Sequence, residues 1–475
     1  MHQGRLFVRW RRHRVGLDPD AFRVSSVHTE MSASSATPIL IVGEIIVDFT
    51  VARPGAECKL RLGGIVHAAR GLWACGIPYS IAAVCPRYIV DQAQRFLAAH
   101  GCNEFVWLGE VKGSPNVIVI GDATEVSDQG YEDLLREEKS VEFLEVGRAL
   151  KSFSEVLIFP GKFDLSEITR LLSASARVSF DVAYDTEDFS SIECFAGRVG
   201  AVAISTSSPL FARVGAVDID PMIEAATTLG AEVFLLKENR GGSRLFDLRT
   251  HEVESVPAIL SATANSVGVG DVYSAVMVGF RQRGWREAAW RGARAATSYA
   301  VTTYPDDFRE DVRRELALSL EEMRDLGGTT LPWHARPSFD IYLAAPDFSY
   351  VDKPEVDRAV EALQYHNFTV RRPIEENGEL PRGSSPSVLR AMFAKDIALL
   401  EDCRVIFAVP LERDPGTLVE MGIAMASKKP VITFDPRREN NNTMVAGGSA
   451  AYSDDLDICI NGLFIEISKL WMASR

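Results

Sequence analysis

The chain has 475 residues, 47% of them apolar and 24% charged. That balance excludes a largely disordered chain, and the length suits two or three domains at roughly 150 residues each. A net charge of −14 argues against nucleic acid or an anionic membrane as the main partner, and no apolar run is long enough to cross a bilayer as a helix.

Residues 1–37 hold Arg5, Arg9, Arg11, Arg12 and Arg14 with no apolar stretch behind them, and Met31 opens a Ser/Ala-rich run. The segment reads as a disordered basic tail and not as a secretory signal, a basic interaction arm being the other reading. The seven cysteines (Cys58, Cys75, Cys85, Cys102, Cys194, Cys403, Cys459) are scattered, with no C-x-x-C pair and no Cys/His cluster at zinc spacing. Reduced thiols in a cytoplasmic protein are therefore expected, without a metal site.

From Pro38 the pattern predicts order. Residues 39–49 form a short β-branched apolar run, and similar runs fall at 156–161, 178–182, 201–205 and 233–237. Helical patterns lie at 88–101 and 219–231, and 271–303 reads as one or two long helices. Strands alternating with helices imply a parallel sheet covered on both faces. Residues 326–337 contain two glycines, two prolines and no periodicity, which predicts a linker. Alternation then resumes: strands at 340–346, 368–373, 404–410 and 430–435, helices at 354–367, 385–403 and 417–429. The expected organisation is a tail at 1–37, a large α/β domain at 38–325, a linker at 326–337 and a smaller α/β domain at 338–475.

Two segments carry chemistry. The first is Asn265-Ser-Val-Gly-Val-Gly-Asp271, ahead of an amphipathic helix. Glycines let backbone N–H groups approach an anion, the helix N-terminus adds partial positive charge, and an Asp there can take a proton from a substrate hydroxyl. A tight helix entry with an N-terminal Asp gives the same spacing. The segment resembles the D-T-x-G-A-G-D signature of ribokinase-like (PfkB) sugar and nucleoside kinases. Asp48 at the end of the first strand, Gly63-Gly64 followed by HAARGLWACG, and Lys237 opening a K-x-G-x-x-G-S-like segment match that family in order. The resemblance covers roughly 38–325 and implies a ribokinase-like α/β sandwich. It implies Gly268, Val269 and Gly270 as anion hole, Asp271 as catalytic base, Lys237 beside the nucleotide, and Asp48, Gly63 and Gly64 at the sugar, with ATP and Mg²⁺ as cofactors if the domain is active.

Three departures bear on that activity. The family's N-x-x-E after the strand at 201–205 is replaced by Ser205-Thr-Ser-Ser-Pro209, the Gly expected after Lys237 is Asn239, and the substrate-contacting Asn falls at His67 or Ala68. A degenerate kinase that binds a nucleoside or sugar, or only scaffolds, is the alternative.

The second segment is Asp414-Pro-Gly-Thr-Leu-Val-Glu420-Met-Gly-Ile-Ala424, between a predicted strand and helix. Structurally, Thr417-x-x-Glu420 reads as a capping box and Asp414 as part of a Pro-Gly turn. Chemically, two carboxylates at such a turn can trap an oxocarbenium-like C1′ and protonate a departing nucleobase. The region resembles nucleoside 2-deoxyribosyltransferases over nearly all of 338–475. Ile341-Tyr-Leu-Ala-Ala-Pro346 is similar to their IYLAGP strand, with Ala345 in place of Gly, the D-x-G-T-x-x-E-x-G-x-A motif is complete, Asp396 matches an upstream Asp, and Asn442-Thr443-Met444 matches a segment that in some members reaches a neighbouring subunit's sugar pocket.

The resemblance implies a doubly wound, flavodoxin/Rossmann-like parallel sheet. It implies Glu420 as nucleophile, Asp414 and Asp396 holding and protonating the base, and Tyr342 at the pocket floor beside Glu420. Gly416, Asn442 and Met444 would contact substrate, without a metal. A homo-oligomer through this domain follows, with a nucleoside or nucleotide and a pentose as ligands. His67, His334 and His366 read as packing or surface residues, Trp285 and Trp290 as packing, and the pairs Arg371-Arg372 and Arg437-Arg438 as solvated charges or as a guide for a phosphorylated ligand.

Overall fold

The apolar run after Pro38 becomes β1 (Ile39–Thr50), the strand on which the larger sheet is organised. The computed structural model describes residues 38–52, 57–135, 138–147, 149–182, 186–381 and 383–475. The tail expected at 1–37 lies outside the described residues. The described residues from Pro38 to Arg475 form one compact unit.

After β1 come β2 (Lys59–Gly64), β3 (Tyr79–Cys85), β4 (Cys102–Lys112), β5 (Val117–Ile120), β6 (Tyr131–Asp133), β7 (Ser140–Phe143), β8 (Glu155–Ile158), β9 (Arg177–Asp181), β10 (Val199–Ser205), β11 (Val233–Lys237), β12 (Ser243–Asp247) and β13 (Val253–Val256). Their order is β13-β12-β11-β10-β9-β8-β1-β3-β4-β7. The centre, from β11 to β4, is parallel, as the alternation implied. The edges are antiparallel: β12 and β13 return as hairpins, and β7 pairs antiparallel to β4.

Strand β1 does two jobs. Residues 39–44 pair with β3, whereas residues 45–50 run on to pair antiparallel with β2, and 47–50 of these also parallel with β5. This second half, with β6 on β5, is a small flap of sheet that places Asp48 opposite Arg61. The stretch 271–303 holds two helices, Val269–Gly279 and Trp285–Ala300, separated by a single turn and Gly284. The first is buried along most of its length by Val272, Ala275, Val276 and Met277.

The smaller sheet contains β14 (Ile341–Ala344), β15 (Val370–Arg371), β16 (Val405–Ala408), β17 (Val431–Phe434) and β18 (Ala451–Ser453), in the order β15-β14-β16-β17-β18 and parallel throughout. Within this sheet that is the 2-1-3-4-5 order of doubly wound flavodoxin-like folds, whose ligand crevice opens where the order reverses, between the first and third strands. Strands β14, β16 and β17 are buried at every residue, as a sheet covered on both faces requires.

Residues 326–337 pack between the two sheets. Thr329 bridges to Ala258, and Arg336, fully buried, bonds the carbonyls of Glu238, Leu331 and His366 and lies over the rings of Trp333 and Phe464. Burial lowers the Arg336 pKa to about 10. A buried guanidinium is tolerated because these carbonyls replace its hydration. Among the described residues no helix is long and apolar enough to cross a membrane, and all seven cysteines are free.

Candidate functional site

Two groups of side chains stand out, one on each sheet. The first lines a cavity of about 490 Å³ between the flap and the C-terminal ends of the central strands. Gly268 is the N-cap of the Val269–Gly279 helix at φ 82, and a Cβ there would lie 2.1 Å from His67 Cγ. Only glycine fits such a turn. Asp271 follows in the first helical turn, half-buried. Desolvation, with the nearby Asp181 carboxylate second, pushes its pKa up to about 7.

Lys237, at the end of β11, places its ammonium 2.6 Å from Asp181 Oδ2 and 3.2 Å from both Gly270 O and Ser274 Oγ. Its three donors are thus committed at the helix entry, and contact with a ligand phosphate requires exchanging one of them. Asp181 Oδ1 is buried without a hydrogen-bond partner and lines the same cavity. Ser205 and Ser207 line the cavity as well, their hydroxyls 2.8 Å apart and hydrogen-bonded to each other, so oxygen atoms that would suit a hard cation such as Mg²⁺ face this end of it.

At the other end Asp48 is buried between Gly63, where a Cβ would fall 2.0 Å from its Oδ1, Arg61 Nε at 3.1 Å and His67 Nε2 at 2.9 Å. His67 Nδ1 faces two donors, Tyr299 OH at 2.7 Å and Arg70 Nη1 at 3.4 Å. That nitrogen is therefore the acceptor, and the ring proton sits on Nε2 and donates to Asp48. Burial lowers the His67 pKa to about 4, against the pull of Asp48, so the ring is neutral. Burial also opposes charge on Asp48, but the bonds from His67 and Arg61 outweigh it and hold the carboxyl below its ordinary value. Gly64 ends β2 and caps the Ile65–Cys75 helix on the cavity wall. Arg61 also bonds Asn265 Oδ1 at 3.0 Å and Val267 O at 2.9 Å, tying the flap to the glycine turn. Neither Arg61 nor His67, expected as a packing or surface residue, carries a local sequence signal for these bonds, because most of their partners are distant in sequence.

The second group lies at the β14/β16 reversal. Asp414 is the N-cap of the Pro415–Ala426 helix, its Oδ2 accepting from Thr417 N at 2.7 Å and Thr417 Oγ1 at 2.9 Å. The expected Thr417/Glu420 capping box does not form: capping by Asp414 starts the helix three residues earlier and frees Glu420. From the second turn, Glu420 Oε1 accepts from Tyr342 OH of β14 at 2.7 Å. Desolvation raises the Glu420 pKa to about 7; the Tyr342 bond opposes that rise, while Asp396 and Asp414 add to it. Burial, then the Glu420 charge, pushes the Tyr342 phenol far up, so it stays a donor.

Asp396, on the Pro386–Asp402 helix, accepts from Asn377 Nδ2 at 2.8 Å, a partner the sequence did not reveal. Gly416 lies exposed in the first turn of the Glu420 helix. Asn442 caps the Thr443–Gly448 helix, accepting from Met444 N at 3.0 Å and Val445 N at 3.1 Å, and Met444 is 77% exposed. The basic pairs are spent in ion pairs: Arg371 with Glu376 and Asp340, Arg372 with Asp347, Arg437 with Glu355, Arg438 with Asp454.

Residues 341–462 match the family model of nucleoside 2-deoxyribosyltransferases. No curated protein matches the chain. Among solved structures the chain is similar to ribokinase from Giardia lamblia, at 13% identity and TM-score 0.43 over 59% of this chain and 99% of that one. It is similar to ribokinase from Thermotoga maritima, at 15% identity and TM-score 0.43 over 59% and 100%, and to a nucleoside kinase from Methanocaldococcus jannaschii, at 14% identity and TM-score 0.40 over 58% and 98%. The larger α/β domain is thus similar to these kinase structures, and the C-terminal domain is similar over residues 341–462 to nucleoside 2-deoxyribosyltransferases.

Proposed function

We propose that the protein processes nucleosides or nucleotides: the C-terminal domain cleaves or transfers the N-glycosidic bond of a (deoxy)nucleoside or nucleotide, and the larger domain is an ATP-dependent kinase for the sugar or nucleoside. The observation that carries the first part is the Tyr342–Glu420 bond at the strand reversal, since it holds a partly desolvated carboxylate against the sheet, where the order reverses, instead of along its own helix.

Glu420 attacks C1′ as the bond to the base breaks, giving a glycosyl ester and a departing base. Asp414 and Asp396 hold that base and deliver its proton. Water or a second base then takes the sugar from Glu420, regenerating the carboxylate. Asp414 has one oxygen occupied as the cap, which fixes its side chain while the other serves the base. Met444, Phe393, Val419 and Leu389 leave 77%, 55%, 53% and 52% of their surface exposed. We take this apolar edge, with Asn442, as the contact through which a second copy completes the pocket.

In the larger domain Asp271 takes the proton of the attacking hydroxyl, and the 268–270 amides stabilise the phosphoryl group that ATP supplies. Nucleotide sensing or scaffolding by a degenerate kinase is the second reading. It is favoured by the Arg61–Asp48 bond, which already occupies the carboxylate meant for substrate hydroxyls.

Chromatography of a nucleoside and deoxynucleotide panel, with and without acceptor base and ATP, tests both parts. Base release or exchange supports the transferase, and a new phosphorylated pentose or nucleoside supports the kinase. No release from any member of the panel overturns the first reading.

A further inference from the structure

The wall of the first cavity is not built by the larger domain alone. Asn461, on the Leu456–Ala473 helix of the C-terminal domain, lines that cavity together with Ser261, Thr263, Arg240, Thr124 and Glu125. Asn461 Nδ2 donates to Ser261 O at 3.0 Å, and Asp457, one turn earlier, accepts from Thr263 N at 3.0 Å. The 257–264 segment is thereby fastened at two points to the other domain. Arg240, at the tip of the β11–β12 turn and 9% exposed, pairs with Asp457 at 2.9 Å, donates to Asn461 Oδ1 and bonds the carbonyls of Thr124 and Glu125 at 3.1 Å.

This segment, the end of β13 and the Trp285–Ala300 helix supply the apolar side of the cavity, through Ile259 and Leu260, Val256, and Ala293, Ala296 and Ala300. The polar end is the glycine turn at 268–270. One cavity thus offers amides for phosphate next to an apolar slot for a flat ring, a division that suits a nucleoside triphosphate.

We propose that the C-terminal domain completes this nucleotide pocket: Asp457 and Asn461 are positioning residues that hold the 257–264 wall and Arg240, so nucleoside triphosphate binding in the larger domain is coupled to docking of the other. The proposal rests on the kinase reading of the first cavity. Coupling is reciprocal: if docking orders the pocket, bound nucleotide stabilises docking by the same factor, commonly about 5- to 150-fold.

The test uses the full-length chain. A non-hydrolysable ATP analogue with Mg²⁺ is titrated by calorimetry into wild type, Asn461→Ala, Asp457→Asn and Ser468→Ala. Ser468 bonds Thr330 across the same interface and does not line the cavity, so it controls for general loosening. Asn461→Ala and Asp457→Asn should weaken binding at least about fivefold, in the range of coupling factors above, and Ser468→Ala should leave it unchanged. In wild type, bound analogue should slow amide exchange in the Leu456–Ala473 helix, a readout that needs no variant. Equal affinity in all four proteins with unaltered exchange overturns the coupling and leaves the kinase reading standing. Absence of binding to wild type overturns both.

Discussion

Tyr342 and Glu420, 78 residues apart, meet at 2.7 Å where the strand order of the smaller sheet reverses. Burial keeps the phenol protonated, so it donates to Glu420, and a donor favours the ionised carboxylate. Desolvation still wins and leaves the Glu420 pKa at about 7. Tyr342→Phe removes the donor without altering the apolar contacts of β14. The rising limb of the pH dependence of kcat/KM, set near 7 by ionisation of the nucleophile, should then move up by roughly one unit. A limb that does not move would show that Tyr342 does not act through Glu420.

Asp414 has two separable duties. As N-cap it contributes about 1 kcal/mol, and Asn serves that position as well. As a proton carrier for the base, only the acid serves. Asp414→Ala should lower both the melting temperature and turnover. Asp414→Asn should keep the melting temperature and still lose about 10²- to 10⁴-fold in glycosidic activity. Full activity in a stable Asp414→Asn protein would reduce Asp414 to a cap.

What the sequence disclosed follows from range. The strands at 341–344, 405–408 and 431–434 are short and buried at every residue, so their apolar runs were legible, and the Asp414–Ala424 motif is local. The Thr417-x-x-Glu420 spacing was misleading because a better cap, Asp414, stands three residues before Thr417. The flap of β2, β5 and β6 was not visible: its strands are short, and β2 is mostly exposed or half-buried. The bonds of His67 were not legible because its partners Asp48 and Tyr299 lie 19 and 232 residues away. The Arg240–Asn461 contact spans 221 residues, and no spacing rule reaches that far.

Asp271 bears the proton transfer in the kinase reading. Asp271→Ala should cost about 10²- to 10⁴-fold in ATP-dependent phosphorylation of a pentose or nucleoside. Because burial holds its pKa near 7, the wild-type rate should climb as pH rises through neutrality. Wild type that phosphorylates no pentose and no nucleoside would remove the catalytic assignment and leave the sensing or scaffold reading.

Assembly can be read from the exposed edge near Glu420. Light scattering at micromolar concentration should give at least a dimer. Charge at Phe393 or Met444, 55% and 77% exposed, should split it, because an apolar contact does not accept an unpaired carboxylate. Phe393→Glu and Met444→Glu should give monomers with impaired base exchange. A strict monomer in wild type, with normal exchange, counts against a shared pocket.

Glu420→Gln separates chemistry from structure. The amide retains a carbonyl for the Tyr342 hydroxyl but cannot form a glycosyl ester, so turnover should collapse in a folded protein. Stability should respond in the opposite sense. The folded pKa of about 7 lies above the ordinary 4.5, so the folded state holds the Glu420 proton more tightly than the unfolded chain. The stability this confers is complete below about pH 4.5 and is lost as pH rises through 7, amounting to at most about 3 kcal/mol. Gln never ionises, so the variant escapes that loss: its melting temperature should equal or exceed that of wild type at pH 8, with the difference shrinking toward pH 5. A nucleoside whose sugar slows the second step should leave a pentosyl mass on the Glu420 peptide of wild type and none on the variant. Near-normal base release by a stable Glu420→Gln protein would end the case for a carboxylate nucleophile.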